Sequence, residues 1–320
     1  MNIRAGSACG SLFLTLFFLS IVAIPAQETS QFGELPLRTV DTQNLNVPDW
    51  ESSSGRNELY ALARAYPGRI SKYEYRLGDW AVLIDDTWFY WARGRMLPES
   101  LRSRWAEFQS YRFYDYPPGL PELRILKPEE GKALSARVSA SDENPPKRSE
   151  LFLGTLLHAT DLDEALDQLE SVWFLGLEIE VHRIVAPSLA RVEEDLKRLF
   201  KRDVEARTFF DGIRLAGGFN YRSIAGQGSR SYHSYGLAID FIPKSYDGRF
   251  PYWRWAYDSG IDDWWELTYE KRWMVPMSVV AIFEHHGFVW GGKWLFFDAL
   301  HFEYRPEVIL LSRLALLPGI

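Results

Sequence analysis

Two short segments carry side chains whose types could perform hydrolytic chemistry together. In Ser231-Tyr232-His233-Ser234-Tyr235-Gly236-Leu237-Ala238-Ile239-Asp240, a histidine precedes an aspartate by seven positions. In Asp298-Ala299-Leu300-His301-Phe302-Glu303-Tyr304, an aspartate precedes a histidine by three. Two histidines and one carboxylate suffice to hold a catalytic zinc with water in the fourth place. A further carboxylate beside that water supplies a general base. Spacing alone leaves a purely structural role for these residues equally open.

The local patterns say which elements must position them. After Gly236 the period is two: Leu237, Ile239 and Phe241 share one face, and Gly236, Ala238 and Asp240 share the other. The first is a core face. The second is small, small, then carboxylate, which predicts open space beside Asp240 that His233 can reach from a loop. Leu300, Phe302 and Tyr304 alternate with His301 and Glu303, so a strand turns both polar side chains one way, with Asp298 at its entrance. Glu303 lies roughly 6–7 Å beyond His301 on such a strand and reads as its supporting partner, not as a ligand. The other histidines read differently. His182 falls on the polar face of a strand and is expected in solvent, His158 is expected partly buried, and His285 and His286 suit the end of a helix over 277–286.

Composition bounds the rest. The 320 residues are 47% hydrophobic and 25% charged, which excludes disordered, collagen-like and coiled-coil chains. A net charge of −7 with no Lys/Arg block argues against a nucleic-acid partner. Arg4, an apolar run over 12–23 and the small residues Pro25-Ala26 describe a secretory signal peptide over 1–26, with an uncleaved anchor as the alternative. The expected location is therefore secreted or periplasmic, with no transmembrane span after cleavage. The only cysteine, Cys9, precedes that run. Cleavage near Ala26 leaves no thiol, so disulfides and thiolate metal sites are excluded and any metal needs His and carboxylate.

The expected organisation is an N-terminal mixed region of unknown role over 27–126, a polar linker over 127–150, and a second unit over 151–320. Asn57–Tyr66 and Trp80–Trp91 are the regular stretches of the first part. In the second, a capping-box spacing at Asp161–Glu164 opens a helix running through Leu169, Val172 and Trp173 to Gly176. Leu177, Ile179 and Val181 then mark a half-buried strand, and Leu189, Val192, Leu196 and Leu199 an amphipathic helix. Seven of the 13 Trp residues fall between Trp253 and Trp294, mostly in an insertion between the two motifs. Those residues suit a satellite hydrophobic cluster better than a groove wall stacking on peptide or sugar.

The two segments resemble the signature of the zinc D-alanyl-D-alanine carboxypeptidase and L-alanyl-D-glutamate endopeptidase family, which cuts bacterial cell-wall peptides. Ser231, His233, Gly236, Ala238 and Asp240 match its first motif; Asp298, His301, Phe302 and Glu303 match its second. Gly287-Phe288, Trp290-Gly291-Gly292 and Trp294, with Asp in place of Glu at 298, are similar to the endopeptidase-like branch. The resemblance covers about residues 205–305. It implies an α+β fold, a small antiparallel sheet with flanking helices, of the Hedgehog/DD-peptidase kind. It also implies zinc held by His233, Asp240 and His301, with Asp298 as the base that takes a proton from the zinc-bound water. Arg222 is implied to grip substrate, and Ser231 either touches substrate or shapes its loop. The implied substrate is the stem peptide of peptidoglycan. The competing readings are a module that keeps zinc without turnover and a glycan-binding envelope protein without metal.

Overall fold

The computed structural model describes residues 55–139, 147–224 and 229–315. The apolar leader expected over 1–26 lies outside them. Among the described residues, no helix is long and apolar enough to cross a membrane. The class is mixed α+β with small antiparallel sheets, as expected.

Helix α1 (Arg56–Ala65) buries Leu59, Ala61 and Leu62 on one side. It leads into β1 (Ile70–Arg76), β2 (Asp79–Ile84), β3 (Thr87–Tyr90) and β4 (Leu97–Pro98), which pair in chain order. Leu77 and Gly78 both have positive φ, the two-residue turn whose twist suits a hairpin. After β5 (Phe108–Gln109), the stretch expected as a linker carries helix α2 (Pro128–Ser139) and ends in β6 (Lys147–Arg148), parallel to β5. One buried cluster takes in Leu59, Val82 and Phe89 together with Val181, Phe241 and Phe302.

Helices α3 (Glu150–Leu157) and α4 (Leu162–Asp167) follow. Asp161 caps α4 by accepting the Glu164 N–H, as its spacing predicts. The helix nonetheless stops at Asp167, well short of the expected Gly176. Leu169, Val172 and Trp173 instead lie on β7 (Leu169–Phe174), paired with β8 (Leu177–His182). The β-branched and aromatic run favours a strand, and Leu175-Gly176, both at positive φ, form a hairpin turn in place of a helix end. The amphipathic helix appears as α5 (Ala186–Leu199), followed by α6 (Val204–Asp211).

The sheet that matters most has order β11-β12-β10-β9, from β9 (Ile213–Gly217), β10 (Ala238–Pro243), β11 (Phe288–Trp290) and β12 (His301–Tyr304). Its core face is aromatic: Phe241 and Phe302 meet Phe283 of α8 (Met277–His285), and Phe241 also meets Phe174. Between β10 and α8 lies α7 (Trp253–Asp258), and α9 (Pro306–Leu314) follows β12.

Candidate metal centre

Strand register brings the two motifs together. On β10 and β12, Asp240 stands directly opposite His301, and Ala238 opposite Glu303. His233 comes from the tight 3-10 turn Tyr232–Tyr235, whose start is fixed by the Ser231 hydroxyl accepting the His233 N–H at 3.3 Å. Gly236 ends that turn at φ 65, and a Cβ there would lie 2.5 Å from the His182 backbone nitrogen. Glycine is therefore required twice over, by conformation and by contact.

That contact corrects two expectations. The small-residue face is not open along its length: Gly236 abuts His182 and Leu169, and Ala238 is fully buried. Only Asp240, at 29% side-chain exposure, borders free space. His182 is not solvated either. Packed under Gly236, it donates from Nε2 to the Leu157 carbonyl and accepts the Ile184 N–H at Nδ1. Burial lowers its pKa, which keeps it neutral. His158 is exposed and caps α3 in the left-handed conformation, where partial burial was expected. His285 and His286 close α8 as expected, with His286 Nε2 2.7 Å from Asp195 on α5.

His233, Asp240 and His301 each offer one ligand atom within 4.8 Å of the others. Each imidazole is held from behind. His233 donates from Nδ1 to the Gly218 carbonyl at 2.6 Å, and His301 donates from Nε2 to Glu303 at 3.1 Å. The nitrogens left over face inward. His233 Nε2 lies 3.2 Å from Asp240 Oδ2, and His301 Nδ1 lies 2.7 Å from Asp240 Oδ1. The two inward nitrogens are 3.2 Å apart. With their outer N–H groups engaged, neutral imidazoles would present two lone pairs and a carboxylate to one point, an arrangement that could hold a cation. Without an ion, a proton on His301 answers the same pull for positive charge. Burial pushes His301 down, but the hydrogen bonds and charges of Asp240 and Glu303 outweigh it and raise its pKa well above the ordinary value. Burial likewise raises Asp240, yet the two imidazoles hold it far below the usual carboxylate range. Two nitrogens and one oxygen with an open side fit a zinc ion of the catalytic type.

Asp298 sits where Tyr252 and Asp298 form an isolated antiparallel bridge, with its N–H on the Gly291 carbonyl at 3.0 Å. A Cβ on Gly291 would meet the Asp298 carbonyl at 2.5 Å, so this glycine permits the approach. Burial, reinforced by the Asp240 charge, pushes the Asp298 pKa up to about 6, against the lowering pull of His301 and His233. The Trp294 ring stands 5.7 Å from the His301 ring. Arg222 is anchored through its backbone: its N–H donates to Ser234 Oγ at 2.8 Å, and that hydroxyl donates to the Arg222 carbonyl at 2.7 Å. Its side chain is exposed and makes no ion pair among the described residues. Trp253, Tyr257, Trp264 and Trp265 pack with Leu267 and Phe297 in a satellite cluster, matching the structural expectation. The Gly218 carbonyl was invisible in sequence, because any residue carries one.

Comparison with known proteins places this site in a class. Residues 225–304 match the family model described as D-alanyl-D-alanine carboxypeptidase, and that stretch contains both motifs. The family resemblance carried by the motifs therefore holds for this part of the chain. Over 85 residues the chain is 40% identical to the peptidoglycan L-alanyl-D-glutamate endopeptidase CwlK of Bacillus subtilis (strain 168). The match covers 25% of this chain and 43% of that relative, so the chain spans less than half the relative's length. Residues 58–113 match a family described as a domain of unknown function. No solved structure matches.

Proposed function

We propose that the protein is a zinc-dependent peptidase that hydrolyses peptidoglycan stem peptides, as a D-alanyl-D-alanine carboxypeptidase or an L-alanyl-D-glutamate endopeptidase. The observation that carries this reading is the convergence of His233 Nε2, His301 Nδ1 and the Asp240 carboxylate, each imidazole braced by an acceptor behind it. His233, Asp240 and His301 hold the metal. Zinc supplies Lewis-acid polarisation of the scissile carbonyl and makes water acidic enough to react near neutral pH. Asp298, poised near pH 6 by burial, takes a proton from the attacking water and returns it to the leaving amine. Arg222, which has no carboxylate partner among the described residues, grips a substrate carboxylate or carbonyl through its planar fork. Ser231 fixes the start of the His233 turn.

The same reading gives residues 205–305 a Hedgehog/DD-peptidase-like fold within a peptidase unit over 151–320. It places the protein outside the cytoplasmic membrane, where its substrate is. The test is mass spectrometry of purified muropeptides incubated with the protein, with and without a chelator. Loss of a terminal alanine indicates a carboxypeptidase, and release of the stem after its first residue indicates an endopeptidase. Fragments left uncut by protein loaded with zinc would sink the reading.

A further inference from the structure

Behind the metal centre lies a second buried polar cluster that the chemistry does not use. Arg305 and Glu307, at the junction of β12 and α9, are 1% and 0% exposed. Arg305 Nε donates to Glu307, its Nη1 lies 3.5 Å from Glu303 Oε2, and its Nη2 donates to the Arg112 carbonyl at 2.6 Å. Its guanidinium sits 4.9 Å from both the Tyr111 and Tyr232 rings, and Tyr232 adjoins His233. The two Glu307 oxygens accept the Tyr66 and Tyr111 hydroxyls at 3.1 and 2.9 Å. Glu303 in turn holds His301. Tyr66, Tyr111 and Arg112 all belong to the 58–113 segment.

We propose that the 58–113 segment is a brace for the metal centre, with Tyr66 and Tyr111 holding the Glu307–Arg305 pair that fixes Glu303 behind His301. This rests on the zinc reading above. Stability alone is a poor reason for the arrangement. Burying a guanidinium with two carboxylates costs solvation that well-packed apolar side chains would avoid. A fully satisfied polar network does something apolar packing cannot: it fixes direction. Here Glu307 and Arg305 are each partnered on both sides, and the chain of contacts runs through the 3.5 Å ion pair to Glu303 and ends on the imidazole whose inward nitrogen would point at the ion. Arg305 touches both motifs at once, through Glu303 and through Tyr232. Tyr66 and Tyr111 are positioning residues, since neither reaches the ligand atoms.

The test compares the zinc dissociation constants of the full chain, measured by chelator competition far below the melting temperature. The Tyr66→Phe/Tyr111→Phe pair removes only two hydroxyls. Tyr116→Phe is the control: it removes a buried hydroxyl that donates to Glu284 at 2.5 Å and accepts the Trp290 N–H, away from the relay. The double variant is expected to weaken zinc binding about 3–10-fold, less than the ~10–100-fold typical of losing a partner that touches a ligand directly. Tyr116→Phe should lower the melting temperature without moving the zinc constant. An unchanged constant in the double variant would overturn the brace, as would equal weakening in the control, which would mean general loosening. A wild-type protein that binds no zinc would bring down the reading of the centre and the brace with it.

Discussion

Two four-stranded antiparallel sheets in this molecule solve the same folding problem with different materials. In the first, β1 to β4 pair in chain order, and the buried positions are Ile70, Trp80, Ala81, Val82, Ile84, Phe89, Tyr90 and Leu97. In the second, the order β11-β12-β10-β9 joins distant segments, with Asp240 and His301 61 residues apart. There His301 and Glu303 are buried, and so is His233 in the turn that leads into β10. The first sheet shows that the architecture needs no interior imidazole. The polar cluster of the second is therefore not demanded by the sheet pattern itself, and burying it is costly unless it is paired.

The comparison can be broken at its strongest point first. His233→Ala should reduce bound zinc from about one equivalent to almost none and abolish hydrolysis, read by elemental analysis and muropeptide assay; retained stoichiometric zinc would remove His233 from the cage. Next, Asp298→Ala should keep the metal and lose about 10²–10⁴-fold in turnover. Asp298 accepts a proton only when ionised. In the wild type, kcat/KM should therefore fall about tenfold per pH unit below a midpoint at or under pH 6, because a nearby dication can only lower the carboxyl further. A flat acid limb would assign the base elsewhere.

Smaller effects sharpen the contrast. Ile84→Ala in the first sheet, fully buried, should cost about 2–5 kcal/mol in denaturant unfolding while the zinc constant stays put. Asp298→Asn should act the other way. The folded state raises the Asp298 pKa from its ordinary value to about 6, so the ionised form opposes folding above that pH. In the chelated protein, the Asn variant should melt on the order of 2 °C higher at pH 7.5 and gain nothing at pH 3.5. A lower melting point at pH 7.5 would show that the carboxylate stabilises its surroundings.

The sequence told more about the site than about its supports. His301 and Glu303 were legible because strand alternation puts them on one side, and the structure has them hydrogen-bonded to each other. The aromatic satellite cluster and α5 were legible from composition and period. His182 was misread because alternation says which way a side chain points, not that Gly236 from another segment covers it. The helix expected to reach Gly176 failed for a related reason: a positive-φ glycine serves a helix end and a hairpin turn equally well. The Arg305–Glu307 pair gave no signal at all. Charged residues beside a proline resemble a solvated helix start, and only the distant tyrosines reveal them as interior.

The opposition of Asp240 and His301 has a consequence for how such a chain reaches maturity. Slipping the β10–β12 pairing by a single residue would set Phe302 against Asp240 and turn the imidazole toward the hydrocarbon side. Under the zinc reading, only the correct alignment would capture the ion, and capture would then stabilise that alignment alone. The metal would act as an inspector of assembly before it acts as a reagent.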